Sequence, residues 1–532
     1  LNNIMPSGYR AMVVSPHYMA SLVGSSVLQK GGNAFDAAVA VSAALSVVYP
    51  HMTGLGGDSF FLLYSAQEKR VVGLNGSGRA GVAAKPELYL EQGMDSIPDR
   101  GIRSIVTVPG MIDAWWRVWS RYGRLEWSEV LAPAAEYAEQ GFPISRDLHR
   151  WMVKDESLLL KDDTLKTVYF RNGKLLKEGD RLIQRELAET FRHIMKNGRD
   201  GFYTGPFMKV LVRSLREAGA VLTEEDFIGH ESDWVEPVST SYRGSEVYQM
   251  PPNSQGFSLL MMLNILEREP LGDIPRGSAA FYHLVTEAVK KAFVYRDKYL
   301  SDPEFVNIPL AELTSKTLAE KLHAESAFSS FRASRFESAI MGQDTAYAAV
   351  VDDEGNAASF IQSLYYDFGS GVVAGDTGII MQNRGSFFSL KQGHPNELAP
   401  KKRTFHTLMP GMVLRDGCPY LLIGTQGGEG QPQTNLSLLT GVLDYGCTIQ
   451  EAIGLPRWVY GRTWGEDSDS LKLENRGLDH GADDRLREWG HEVELLSPWD
   501  GVAGQAQGIM ISSDGLISGA ADPRGDGAAI GW

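Results

Sequence analysis

In Gly342-Gln343-Asp344-Thr345-Ala346-Tyr347-Ala348-Ala349-Val350-Val351-Asp352 a charged segment gives way to an apolar run of small and β-branched residues. The change predicts a strand that begins at Thr345. Asp352-Asp353-Glu354-Gly355-Asn356 supplies a turn and Ala357–Ser363 a second strand, so the two runs read as a hairpin. Met412–Leu414 and Tyr420–Ile423 flank Arg415-Asp416-Gly417 in the same way, and Ile509–Ile511 and Leu516–Ser518 flank Ser513-Asp514-Gly515. Three hairpins in the last third predict a substantial, mainly antiparallel sheet.

Towards the N-terminus the pattern becomes helical. Ala20–Lys30 and Ala34–Val48 read as helices broken by Gly31-Gly32-Asn33, and so few charges imply burial. Phe60–Tyr64 and Arg70–Leu74 read as strands. Val108-Pro109-Gly110 precedes a helix through Trp115–Tyr122. Ala279–Arg296 places Phe281, Leu284, Val285, Ala288 and Ala292 on one helical face, and His283 there reads as a packing or surface residue. Asp155–Asp163 and Thr314–Glu337 read as polar helices, and the charge-rich span from Asp147 to Arg276 as peripheral. Helices between and before hairpins make the class mixed α and β, built in packed layers.

Composition excludes several functions. The 532 residues carry 51 Lys+Arg against 66 Asp+Glu, a net charge of −15, which repels phosphate backbones and argues against nucleic acid as a partner. Cys418 and Cys447 are the only cysteines and read as buried structural thiols. The 11 His show no metal-ligand spacing, so neither metal nor cofactor is expected. The longest apolar run, in Ala34–Tyr49, is too short to span a bilayer. Leu1–Tyr9 shows no charged-then-apolar leader, and the expectation is a cytoplasmic enzyme with no membrane partner.

Two glycine clusters stand out, Gly54-Leu55-Gly56-Gly57 and Gly424-Thr425-Gln426-Gly427-Gly428. Neither has the lysine of a phosphate loop, so they read first as tight turns or points of close backbone approach. Gly427-Gly428, just past the strand Tyr420–Ile423, is also placed to aim N–H donors at a developing oxyanion.

Gly31-Gly32-Asn33-Ala34-Phe35-Asp36-Ala37-Ala38-Val39-Ala40, Thr53-Gly54-Leu55-Gly56-Gly57-Asp58, Val108-Pro109-Gly110, Met250-Pro251-Pro252, Gly427-Gly428 and Asp522-Pro523-Arg524 occur in the order found in gamma-glutamyltranspeptidases. The chain resembles that family nearly end to end. The resemblance implies α+β architecture, a four-layer αββα sandwich of the N-terminal nucleophile hydrolase kind, and a proenzyme that cuts itself before a threonine. The matching bond is Asp344–Thr345, which would leave a large subunit of residues 1–344 and a small subunit of residues 345–532 sharing one domain, with room for a dimer of such heterodimers. A threonine hydroxyl is a weak nucleophile. A freed α-amino group, with a pKa of about 7.7–8.0, can serve as the base for its own Oγ.

By the same resemblance Thr345 is the nucleophile, Gly427 and Gly428 form the oxyanion hole, and Ser363 stands where a second threonine assists. Arg79, in Gly78-Arg79-Ala80, matches the arginine that grips a substrate carboxylate. The departures bear on the substrate. Ala346-Tyr347 replaces Thr-His after the nucleophile, and Tyr365 replaces an asparagine-like residue. Phe387 replaces the aspartate that pairs with the substrate ammonium, and His406-Thr407 replaces a serine pair. Phenylalanine offers no counter-charge to a buried ammonium. With Arg384 as a second cation and Tyr365, Phe387 and His406 narrowing the pocket, the expected substrate is a small acid amide without an amino group. The chain is similar to the bacterial oxamate amidohydrolase branch, which turns oxamate into oxalate and ammonia late in purine and allantoin breakdown. Three alternatives stay open: a gamma-glutamyl hydrolase or transferase, an acylase for cephalosporin side chains, and an uncleaved scaffold protein. The segment between Phe387 and Arg403 looks short for a lid and predicts an open mouth over Thr345.

Overall fold

In the computed structural model, which describes residues 5–325, 344–461 and 468–532, two seven-stranded sheets face each other. The first runs Ala528–Gly531, Met12–Ser15, Asp344–Val351, Ala357–Tyr365, Asp58–Ser65, Arg70–Gly76, Asp233–Val235 from edge to edge. The second runs Ser7–Gly8, Ile517–Ala521, Ala506–Ile511, Cys418–Thr425, Gly411–Arg415, Ser245–Gln249, Val238–Tyr242. All neighbouring strands in both are antiparallel. Segments before and after Asp344 are mixed within each sheet, so neither part of the chain owns a whole sheet.

The strand that opens at Asp344 shows how the layers arise. Its residues alternate between the two faces of the sheet. Tyr347, Ala349 and Val351 enter the core between the sheets with Phe60, Leu62, Met412, Leu422 and Ile509. Ala346, Ala348 and Val350 join the core under the outer helices with Ala37, Val41, Leu45 and Trp115. A third core, with Phe257, Leu263, Val285, Leu436 and Ile453, packs helices Gly256–Leu266, Ala279–Tyr299, Gln431–Leu443 and Ile449–Gly454 on the far side of the second sheet. The order is therefore helix, sheet, sheet, helix. Each fully buried large aliphatic or aromatic side chain contributes about 1.5–3 kcal/mol to this arrangement.

Ala34–Val48 is buried along its whole length because its side chains are small and its one acid, Asp36, is used up in capping. Asn33 accepts from the N–H groups of Phe35 and Asp36, and Asp36 accepts from Asn33 N–H. Asp352, at the end of the Thr345 strand, accepts from Ala34 N–H at 2.8 Å and so ties this helix to that strand.

The three expected hairpins are present with slightly longer strands, and the expected helices appear as Tyr18–Gln29, Ala34–Val48, Met111–Tyr122 and Ala279–Tyr299. Two readings change. The span from Asp147 to Arg276 is not all periphery: it supplies two strands of the second sheet and the wholly buried helix Gly256–Leu266, whose apolar face goes all the way round. Cys418 is exposed and Cys447 partly so, because Cys418 stands at the turn end of a hairpin rather than in a core. The Asp155–Asp163 region is two short helices, Glu156–Leu159 and Asp163–Tyr169. Of the expected helix Thr314–Glu337, Lys316–Ala324 is helical and residues 326–337 lie outside the described residues.

Candidate active site

Thr345 stands where the central hairpin is irregular. Pairing runs Asp344 to Tyr365 and then Ala346 to Gln362, so Thr345 faces two residues, Ser363 and Leu364. Such a bulge re-aims a side chain out of the ladder. Thr345 is fully buried. Its Oγ1 accepts a hydrogen bond from Gln431 Nε2 at 3.1 Å.

Ser363 Oγ accepts from the Tyr365 N–H at 2.6 Å and from Arg384 Nη2 at 3.1 Å. The glycine turn at 54–57 explains why the strand can sit so close. A Cβ on Gly57 would collide with the Ser363 carbonyl, and one on Gly56 with Ile380. Tyr365 has φ of +88°, a conformation that costs a bulky residue of order 1–3 kcal/mol. Its ring is held between Tyr366, centroids 4.4 Å apart, and Phe387 at 4.2 Å.

Gly427 and Gly428 have φ of +120° and +50° and follow the strand Cys418–Thr425. Among the described residues, no backbone carbonyl takes either N–H. Two adjacent amide donors are thus left over at the start of helix Gln431–Leu443, whose N-terminal dipole also favours negative charge. The Gly428 carbonyl is fixed from behind by Gln255 Nε2 at 3.1 Å, which also donates to the Thr407 carbonyl at 2.9 Å.

Arg384 is completely buried. Burial pulls its pKa down to about 10, so it remains a cation at neutral pH. It stacks over Tyr365 at 4.5 Å and Phe387 at 5.6 Å. No carboxylate pairs with it, and Nε and Nη1 have no partner among the described residues. Near it, His406 Nε2 meets Asp58 Oδ2 at 3.2 Å. Burial, helped by Arg384, takes the His406 pKa down to about 3, so the ring is neutral. A carboxylate can only accept, so Nε2 carries the proton and Nδ1 presents a lone pair, which is unpartnered. Asp58 is itself pinned: Oδ1 accepts from Gly78 N–H, Gly110 N–H and Gln382 Nε2, each at 3.1 Å.

Residues 20–532 match the family model described as Gamma-glutamyltranspeptidase. The chain belongs to the gamma-glutamyltranspeptidase family. It is 51% identical over 524 residues to a "Glutathione hydrolase-like YwrD proenzyme" of Bacillus subtilis, covering 98% of this chain and 99% of the relative. It is 38% identical over 528 residues to an "Oxamate amidohydrolase proenzyme" of Klebsiella pneumoniae, covering 98% of both. Among solved structures, cephalosporin acylase from Bacillus halodurans superposes with a TM-score of 0.92 at 32% identity, covering 100% of this chain and 97% of the acylase. The protein is therefore a hydrolase of amide bonds that works through an N-terminal nucleophile, made as a precursor cleaved into two subunits. Its fold is the αββα sandwich expected from the sequence.

In this member of the family, the described residues bring together Thr345, Ser363, Tyr365, Arg384 and Phe387 on one side and Gly427, Gly428 and Thr407 on another, with Gln431 joining the second group to Thr345. Arg79 is placed otherwise. Its Nη2 pairs with Asp233 at 3.2 Å and Glu304 at 2.8 Å, and it lines a surface cleft with Val108, Asp226 and Lys401. A substrate carboxylate would have to displace those partners. Tyr347 points between the sheets, where its hydroxyl meets Ser359 Oγ at 2.8 Å, so the Ala346-Tyr347 departure is a matter of core packing. The expected open mouth is not found at Thr345. The segment after Phe387 does fold away, with Phe388, Leu390 and Leu398 packed on Ala80, Tyr89 and Val106, but Thr345 is wholly enclosed in the unbroken chain.

Three contributors were not read from the sequence: Gln431, Gln255 and Asp58 as the anchor of His406. Gln431 had a usable signal, since Pro432 marks a helix start and places the preceding residue beside the glycine pair. A further finding concerns His283, which packs as expected but not alone. It joins Glu287 and His491, with one candidate ligand atom from each lying within 4.8 Å of the others. Glu287 is ion-paired to Lys290 at 3.0 Å, and His283 Nδ1 meets His491 Nε2 at 2.8 Å.

Proposed function

We propose that the precursor cuts itself between Asp344 and Thr345, and that the freed Thr345 hydrolyses a short amide bearing a carboxylate and no ammonium group, oxamate being the substrate that fits best. The observation that carries this reading is Arg384: a buried guanidinium with two idle N–H groups beside Ser363, walled by Tyr365 and Phe387. A planar fork of this kind suits a carboxylate. His406 Nδ1 adds an acceptor for a substrate N–H. Nothing in this set offers a counter-charge to an α-ammonium.

Thr345 Oγ attacks the amide carbon while its own α-amine takes the hydroxyl proton. The Gly427 and Gly428 N–H groups receive the oxyanion. The α-ammonium then protonates the departing nitrogen, which leaves as ammonia, and an acyl ester of Thr345 remains. Water, deprotonated by the same amine, hydrolyses the ester to oxalate and regenerates the hydroxyl. The 38% identical oxamate amidohydrolase supports this assignment, and a place in purine breakdown rests on the sequence resemblance alone.

A gamma-glutamyl amide is the second reading, favoured by the 51% identical glutathione hydrolase-like relative. Ammonia release from oxamate, measured beside anilide release from a γ-glutamyl anilide, separates the two. The first reading expects kcat/KM to favour oxamate by at least about a hundredfold, the scale of an unpaired buried charge. A preference for the anilide would overturn it.

A further inference from the structure

Gly427-Gly428-Glu429-Gly430-Gln431 forms one short unit, a single helical turn at Gly428–Gly430 running into the helix Gln431–Leu443. Gly430 N–H bonds back to the Gly427 carbonyl at 2.8 Å, which fixes the unit internally. The fully buried Gln431 side chain leaves this unit at the helix start, and its Nε2 reaches Thr345 Oγ1 at 3.1 Å. Its other polar atom, Oε1, is buried with no hydrogen-bond partner among the described residues. Buried amide oxygens are nearly always satisfied, and leaving one without a donor is unfavourable.

Cleavage supplies such a donor at the adjoining residue. When Thr345 Oγ adds to the Asp344 carbonyl carbon, the C–N bond breaks and the hydroxyl proton ends on the Thr345 nitrogen. Water then hydrolyses the ester, and the nitrogen that held one N–H becomes an amine with two. We propose that Gln431 is a further catalytic residue of this site, with one task on each side of the cut. Before cleavage its Nε2–H orients Thr345 Oγ. After cleavage its Oε1 accepts one N–H of the new α-amine and turns the amine lone pair toward Oγ. A carboxamide suits both tasks because it donates and accepts. It is also uncharged, so it holds the amine without favouring its protonated form, as a carboxylate would. The inference rests on Thr345 being the nucleophile.

The test uses the full chain with three substitutions. Thr345→Ala must abolish cleavage and turnover; if it does not, the reading of Thr345 fails and this proposal with it. Gln431→Met keeps the shape and removes both polar atoms. It is expected to slow self-cleavage and, in matured protein, to lower kcat about tenfold or more with KM changed less than threefold. Gln431→Glu keeps an acceptor but adds charge, and is expected to move the acid limb of the kcat/KM profile up by about one pH unit. If Gln431→Met does not fold, the Gln431→Glu profile decides alone. An inactive Thr345→Ala beside a Gln431→Met enzyme of normal kcat, or beside a Gln431→Glu enzyme with an unmoved acid limb, overturns the role of Gln431 and leaves that of Thr345 standing.

Discussion

Tyr347 and Gly424 meet across the interface between the two sheets, and a Cβ on Gly424 would run into the Tyr347 ring. The strand that carries Thr345 is thus keyed to the strand that leads to Gly427 and Gly428. Gly424→Ala is expected to destabilise the protein by about 1–3 kcal/mol through overpacking. Tyr347→Ala should leave a cavity of its own, and the double variant should be more stable than the sum of the two losses predicts. Chemical unfolding of the four proteins measures this, and strict additivity would refute the contact.

Thr345→Ala is expected to give a single species of about 58.5 kDa by denatured intact mass, where the parent gives two that divide between Asp344 and Thr345. Cleavage at any other bond in the parent would refute the assignment.

Arg384→Met should separate binding from stability. A buried cation without an ion pair is an expensive group, and replacing it by an apolar side chain of similar length is neutral or stabilising. The thermal midpoint is expected to hold or rise, while kcat/KM for the carboxylate-bearing amide falls about a hundredfold or more as the charge-assisted bonds are lost. A variant that loses stability and keeps activity would contradict both halves.

Phe387→Asp places a carboxylate beside Arg384 and opposite Tyr365. It is expected to raise the ratio of γ-glutamyl anilide to oxamate turnover at least tenfold, by giving an ammonium a partner and by occupying Arg384. An unchanged ratio would show that Phe387 does not set the choice.

Stability should fall on mild acidification. Burial holds His17 and His406 at about 3 and His230 at about 4, against 6.5 in the unfolded chain. Below pH 6.5 the unfolded state takes up protons that the folded state refuses, so each histidine removes about 1.4 kcal/mol per pH unit down to its folded pKa. Asp155 works in the opposite sense, because burial and the nearby Asp367 push it up to about 8. His491, also at about 3, and His51 and His394, also lowered by burial, act with the other three. The histidines outweigh Asp155 and the net is a loss, visible as a lower urea midpoint at pH 5 than at pH 7.5. A midpoint that rises on acidification would contradict it.

Much of the fold was legible because local and global preferences agree. Asn33 and Asp36 announce a helix that the fold also needs buried, and each late hairpin carries its own turn residues. What the sequence hid is long-range. Gly256–Leu266 is apolar on every side, which shows burial but not which sheet it covers. His406 reads as a pocket residue, yet its tautomer is set by Asp58, 348 positions away. Arg79 and Arg384 look alike as arginines. Only the structure shows that one is satisfied by Asp233 and Glu304 while the other has idle donors.

The mixing of early and late segments within both sheets has a consequence for the finished enzyme. In the first sheet Met12–Ser15 lies between Ala528–Gly531 and the Thr345 strand, so a cut at Asp344 severs the chain without freeing either piece. Separation would require breaking hydrogen-bonded ladders in both sheets together. Maturation is then a ratchet: the precursor folds as one molecule, but a denatured mature enzyme must find its other half by collision. Recovery of the uncut Thr345→Ala chain should be independent of protein concentration, and recovery of the cut enzyme should fall with dilution.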